Sequence, residues 1–234
     1  QKYNGVSDGS ILSDDFTGDL YVIGLWMHGV LDPKTGKWIE NLTDTSTVWN
    51  HQWRAHGSQP GYDVKQSSQF LISKSTDDGL TWSEPRNITR QVKKEKWWLL
   101  APGPGRGITM EDGTLVFPVE GRNEDGLQFS TIMWSKDKGE NCTVGEQAYY
   151  NTNECQVVEL SDHSLMLNMR ERSNRGRQEG NGRAIAVTAD LGKTWTEHPT
   201  SRRALIEPAC QASLLRHDYI EDGEERHGDL FACP

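Results

Sequence analysis

The chain has 234 residues, 34% of them apolar, and a formal charge of −9 from 25 basic and 34 acidic side chains. That length suits one all-β domain or two smaller ones; the acidic balance argues against general nucleic-acid binding, though not against a locally basic pocket for a small anion. No run approaches the roughly 18 apolar residues of a membrane-spanning helix, and the polar stretch from Gln1 to Ser10 shows no signal-peptide pattern.

In chain order, β-prone runs are predicted at 20–26, 69–73, 115–119, 131–134, 156–160, 165–168 and 183–188, separated by Gly, Asp, Asn and Pro. Helical periodicity is scarce, and the chain reads as nearly all-β. Nine Trp concentrate apolar surface in few residues. Cys142, Cys155, Cys210 and Cys233 form no C-x-x-C pair, so a zinc knuckle is not expected; two disulfides or four buried thiols both fit.

An octet recurs. Ser75-Thr76-Asp77-Asp78-Gly79-Leu80-Thr81-Trp82 and Thr188-Ala189-Asp190-Leu191-Gly192-Lys193-Thr194-Trp195 share [S/T]-x-D-x-G-x-T-W, and Ser135-Lys136-Asp137-Lys138-Gly139 keeps the first half. Each follows a β-prone run. Asp at the third position can accept hydrogen bonds from nearby backbone N–H groups, and Gly at the fifth supplies a positive φ. Trp at the eighth is expected to pack into its own unit. Gly18-Asp19, Asp112-Gly113, Asp162-His163 and Gly228-Asp229 are each read as a turn before a strand. Units of about 50 residues with four strands are what a β-propeller blade requires. The octet is the Asp-box, a structural hairpin that names a fold and no activity.

Candidate chemistry lies around the segment 153–170. Glu154 precedes an apolar strand, and Arg170 follows 16 residues later, after the run 165–168. Two antiparallel strands joined at Asp162-His163 would bring both to one end, facing a common funnel. Arg suits a carboxylate ligand because its planar fork donates two hydrogen bonds. A rim salt bridge is the plainer alternative. Arg172, Arg175, Arg177 and Arg183 read as a solvated loop. The segment Ala101-Pro102-Gly103-Pro104-Gly105-Arg106-Gly107-Ile108 lacks the Gly-Lys-[Ser/Thr] ending of a P-loop and reads as a tight loop close to the pocket. No Ser/His/Asp order or metal-binding helix is evident, and no metal or cofactor is expected.

In this order, Val6-Ser7-Asp8-Gly9-Ser10-Ile11-Leu12, Leu25-Trp26-Met27-His28-Gly29, Ser58-Gln59-Pro60-Gly61-Tyr62-Asp63, the Gly-rich segment, Asn153 to Leu160, Leu165 to Arg170 and Ala209-Cys210-Gln211-Ala212-Ser213-Leu214 join the Asp-boxes. Together they resemble the exo-sialidases (neuraminidases) of the bacterial and animal secreted or lysosomal type over essentially the whole chain. The resemblance implies a six-bladed β-propeller and release of terminal sialic acid from glycoproteins, glycolipids and oligosaccharides with retention. In that family three arginines clamp the substrate carboxylate, a Tyr attacks the anomeric carbon, a Glu takes its proton, and an Asp serves as acid and base, outside the usual two-carboxylate scheme. Carried over, Glu154 matches the Glu that activates the Tyr, Arg170 the second arginine, and Asp8 a pocket Asp on the sugar's hydroxyl edge, although Gly9 stands where Pro usually follows.

There are departures. No Arg-Ile-Pro tripeptide carries the first arginine, Asp63 falls in the wrong context for the acid/base Asp, and Tyr149 and Tyr150 fall in the wrong blade for the nucleophile. Residues 1–234 are therefore expected to be a partial propeller of three and a half to four blades, lacking the first blade and the last blades, with the nucleophile outside it and no turnover alone. Alternatives are a non-catalytic propeller that binds sialylated glycans, a trans-sialidase and a scaffold for protein partners. The substrate implies a secreted, periplasmic or lysosomal setting. Asn41-Leu42-Thr43, Asn87-Ile88-Thr89 and Asn141-Cys142-Thr143 match the glycosylation sequon.

Overall fold

The computed structural model describes residues 2–37, 39, 51, 58–177, 179–207 and 209–232; the sequon at Asn41, Cys233 and most of the segment between Val30 and Ser58 lie outside them. The strands are β1 (Lys2–Ser13), β2 (Leu20–Val30), β3 (Gln69–Ser75), β4 (Arg86–Asn87), β5 (Leu99–Pro102), β6 (Gly105–Arg106), β7 (Ile108–Thr109), β8 (Leu115–Arg122), β9 (Gln128–Ser135), β10 (Thr143–Val144), β11 (Tyr149–Tyr150), β12 (Thr152–Glu159), β13 (Leu165–Glu171), β14 (Ala184–Thr188), β15 (Thr196–Glu197), β16 (Ser213–Glu221) and β17 (Glu224–Ala232). A four-residue helix, Thr89–Val92, and a 3-10 turn, Arg172–Asn174, are the only helical pieces among the described residues. None is long and apolar enough to cross a membrane.

The strands form blades. β1 to β4 make the first sheet, with β6 added in parallel beside β1; β5, β8, β9 and β10 make the second; β12 to β15 make the third; β16 and β17 form a hairpin of their own. The cores lie between blades, and period-2 alternation explains why. Along β8, Leu115, Phe117 and Val119 face blade one, where Leu12, Tyr21, Ile23, Phe70 and Trp97 meet them. Val116 faces blade three with Val157, Leu165, Leu167 and Met169.

The three Asp-boxes close the β3–β4, β9–β10 and β14–β15 connections. In each, the Asp accepts from the backbone N–H four residues on: Thr81 N–H to Asp77 at 2.8 Å, Asn141 N–H to Asp137 at 2.8 Å and Thr194 N–H to Asp190 at 2.9 Å. The second copy, which keeps only half of the motif in sequence, makes the same Asp hydrogen bonds. Asn141 Nδ2 donates to Asp137 at 2.7 Å where Thr81 and Thr194 hydroxyls donate to their Asp at 2.6 and 2.7 Å. Gly79, Gly139 and Gly192 have φ of 84°, 82° and 80°, as the turn demands.

Of the Trp positions, Trp195 packs against the core that includes Ala184 and Ala186 of its own blade, as expected, and the others depart. Trp82 is 42% exposed and donates its Nε1–H to Gly79 O, capping the hairpin instead of entering a core. Trp195 is half-buried and reaches Glu146 O of the preceding blade. Cys142, in the Trp position of the middle copy, is buried in the core between blades one and two.

Two further corrections follow. Gly228-Asp229 is not a turn: it lies inside β17, and the reversal falls at Asp222 and Gly223, with φ of 54° and 79°. Cys142 and Cys155 are buried free thiols, so two disulfides do not form. Burial pushes the Cys142 thiol up to about 11 and the Cys155 thiol higher still. The side-chain amides of Asn87 and Asn141, both in sequons, are already spent on Gln69 Oε1 and Asp137.

Candidate functional site

Asp8 and Glu154 both stand on β-bulges, in β1 and in β12. The β1–β2 register shifts between Ser7 and Ser10, leaving Asp8 and Gly9 out of step, and Asp8 adopts φ 51°. The β12–β13 register pairs Asn153 with Arg170 and Cys155 with Met169, so Glu154 is the extra residue. A bulge re-aims a side chain that strict alternation would send elsewhere. Here the two carboxylates are close enough to sense each other: Asp8 has its pKa raised by burial first, a hydrogen bond from Ser7 opposes this, and the Glu154 charge adds to it.

Arg170 closes the group. Its Nη1 donates to Glu154 Oε2 at 2.6 Å, with the two side chains 24% and 25% exposed. The antiparallel reading of Glu154 and Arg170 therefore holds in geometry. Arg170 Nε and Asn153 Oδ1 are buried without a hydrogen-bond partner. Nη1 is the one guanidinium nitrogen of Arg170 with a hydrogen bond among the described residues, and the side chain is about a quarter exposed, so its open side can meet an incoming carboxylate. Thr188 lies level with Leu165, and Leu165 with Glu159, so the Asp-box sits at the far end of the blade from Asn153 and Arg170, roughly 20 Å away by strand rise.

The Gly-rich segment lies against the site, as expected. Pro104 O accepts from Gln156 Nε2 at 2.8 Å and from Gln211 Nε2. A Cβ on Gly103 would stand 2.9 Å from Cys155 O, so only Gly allows this approach beside the bulge.

Two features escaped the sequence reading. The first is Glu120 on β8, 5% exposed, whose Oε2 accepts the Glu154 N–H at 2.8 Å. Burial pushes its pKa up to about 8; the Glu154 amide and Arg170 oppose this, and Asp8 and Glu154 add to it. Its signal was a Glu continuing the apolar run 115–119. The second is Arg183, which is not in a solvated loop but 0% exposed and paired at 2.8 Å with Glu207, also 0% exposed. It donates Nη1 to Cys210 O at 3.0 Å, Nη2 to Glu154 O at 3.3 Å, and Nε to Asn168 Oδ1. Glu207 accepts from Glu171 N–H at 2.9 Å and Asn174 Nδ2 at 3.0 Å. The buried pair thus grips the backbone at Glu154 and next to Arg170.

A cleft of about 510 Å³ lies at the other end of the strands, lined by Ser13, Arg106, Thr109, Glu159 and Arg216 among others, and includes none of Asp8, Glu154 or Arg170. Among the described residues no three His, Cys, Asp or Glu groups converge as metal ligands. Tyr150 is exposed, and Tyr149 stacks under Arg202 at 4.7 Å.

Known proteins bear on this geometry. The BNR repeat-like domain model matches residues 44–227. The chain is 46% identical to a Bacteroides fragilis sialidase over 212 residues, covering 91% of this chain and 34% of that protein. It is 33% identical to a Clostridium perfringens sialidase, covering 70% of this chain and 45% of the relative. Among solved structures, a Hadza microbial sialidase superposes with a TM-score of 0.74 at 40% identity, over 92% of this chain and 37% of that one. A Trypanosoma rangeli sialidase in complex with sialic acid shares the fold, with a TM-score of 0.66 at 21% identity over 95% of this chain and 33% of that one. The chain thus spans about a third to a half of the length of these relatives. Blades, Asp-boxes and likenesses agree: the chain belongs to the BNR repeat-like family and is a member of its sialidases.

Proposed function

We propose that the protein carrying this chain is an exo-sialidase that releases terminal sialic acid with retained configuration. The observation that carries this reading is the Arg170–Glu154 pair at 2.6 Å on a bulged strand, beside Asp8. Arg170 engages Glu154 through Nη1 and binds the substrate carboxylate with its remaining donors. Glu154 uses Oε2 for Arg170 and offers its other oxygen to the phenol of a Tyr supplied by the rest of the propeller. Proton removal as the phenol attacks makes a neutral side chain nucleophilic without bringing a second anion against the substrate's carboxylate. Asp8 takes the hydroxyl edge of the sugar. The same reading sets the protein where sialoglycans are exposed: secreted, periplasmic or lysosomal.

The test is hydrolysis of a fluorogenic sialoside by the full-length gene product. Glu154→Gln should lower kcat by about 10²- to 10⁴-fold, the usual contribution of a positioned base, and NMR should show the α-anomer released first. A Glu154→Gln protein within twofold of wild type, or a wild type that binds the sialoside without cleaving it, would replace this reading with the glycan-binding one.

A further inference from the structure

Beyond the pair already described, the floor of the site holds a carboxyl that neither the Asp-boxes nor the proposed chemistry uses. Glu120 projects from β8 toward blade three and is 5% exposed. Its Oε2 takes the amide of the bulged residue Glu154, and its Oε1 has no hydrogen-bond partner among the described residues. The charged and titratable groups around it come from three strands: Asp8 on β1, Glu154 and the Cys155 thiol on β12, and Arg170 on β13. β5 and β9, which flank it through Ala101 and Ser130, bring no charged residue.

We propose that Glu120 serves this site as a neutral acid, holding its proton on Oε1 as a hydrogen-bond donor to the ligand, and that its ionisation expels an anionic ligand. The charge count motivates this. Among the described residues, Asp8, Glu154 and an ionised Glu120 would set three negative charges against the one of Arg170, in a place that must capture an anion. A buried carboxylate with one amide as its hydrogen-bond partner is costly; retaining the proton removes both the desolvation penalty and one repulsive charge. The physical setting agrees, since burial lifts this carboxyl to about 8. The carboxyl is neutral below that pH and charged above it, so anion capture is strong on the acid side and lost on the alkaline side. Glu120 is thus a further binding residue, distinct from Glu154, whose task in the proposed reaction needs the charged form.

This inference rests on the reading that the site takes a sugar acid, and the test separates the two. The full-length protein is titrated with free sialic acid and with its methyl ester at pH 7 and pH 9. If the neutral form alone binds, apparent affinity for the acid falls about tenfold between those values, following the protonated fraction. The ester, which carries no charge, should change far less. Glu120→Gln should bind the acid with little change across the range, and Glu120→Ala should be equally flat but weaker, having lost the donor. Independently of any ligand, the infrared carbonyl stretch of a protonated carboxyl should be present at pH 7, vanish by pH 9.5, and be missing from Glu120→Gln. An alkaline loss that persists unchanged in Glu120→Gln, or no protonated-carboxyl band in the wild type at pH 7, overturns the inference. If sialic acid binds at no pH while the band is present, the sugar-acid reading falls and the proton on Glu120 stands.

Discussion

Blade three contains two arginine–glutamate pairs within one network, and they differ in kind. Arg183 and Glu207 are both 0% exposed and meet at 2.8 Å. Arg170 and Glu154 meet at 2.6 Å but are about a quarter exposed. The buried pair is heavily bonded: Arg183 also holds Asn168, Cys210 O and Glu154 O, and Glu207 holds Glu171 N–H and Asn174. The open pair leaves Arg170 Nε without a partner. The same two residue types thus make a frame bonded through all three guanidinium nitrogens and a receptor bonded, among the described residues, through one. The frame carries the receptor, because its contacts end on the backbone of Glu154 and of the residue after Arg170.

The sharpest test of that division is Glu207→Ala. It strands a fully buried guanidinium, which costs about 3–5 kcal/mol, read as a lowered urea midpoint with an unchanged slope. Glu207→Gln, which keeps acceptors for Glu171 and Asn174, should cost less. If Glu207→Ala were as stable as wild type, the pair would not be a frame. Arg183→Lys comes next. It keeps the charge and loses the fork, and with it hydrogen bonds to Asn168, Cys210 O and Glu154 O, for about 1–3 kcal/mol. In the full-length protein it should also weaken sialoside binding, because the Glu154 backbone loses its anchor; an Arg183→Lys protein with unchanged affinity would mean that the bulge holds itself.

How much of this was legible in sequence depends on how far apart the interacting residues lie. The runs predicted at 20–26, 69–73 and 165–168 became the cores of β2, β3 and β13, because their alternation is local. β1 was not predicted as a strand from its pattern: Gly5, Asp8 and Gly9 interrupt it, and the bulge shifts its register. β16 and β17 were hidden by charged residues on an exposed hairpin. Glu154 and Arg170 could be paired from spacing because one turn joins their strands. Glu120 could not, since its contact with residue 154 crosses between blades over 34 positions. Arg183 was misread because the segment before it, 172–182, is polar and rich in Arg and Gly, and its partner stands 24 residues on, beyond the Asp-box.

The smallest expected effect bears on the open pair. Glu154→Ala should change folding stability by less than about 1 kcal/mol, because a part-exposed pair gains little over its hydrated members. A double-mutant cycle with Arg170→Ala isolates their coupling. Its value should fall in molar salt, where the screening length shortens to about 3 Å, whereas a cycle on Arg183 and Glu207 should be nearly indifferent to salt, since no ions reach it. Equal salt responses would mean that the two pairs share one environment, and the division between frame and receptor would fail. A salt-sensitive coupling confined to Arg170 and Glu154 would mean that the protein has left this arginine only loosely committed, so that a ligand carboxylate can compete for it without unfolding anything.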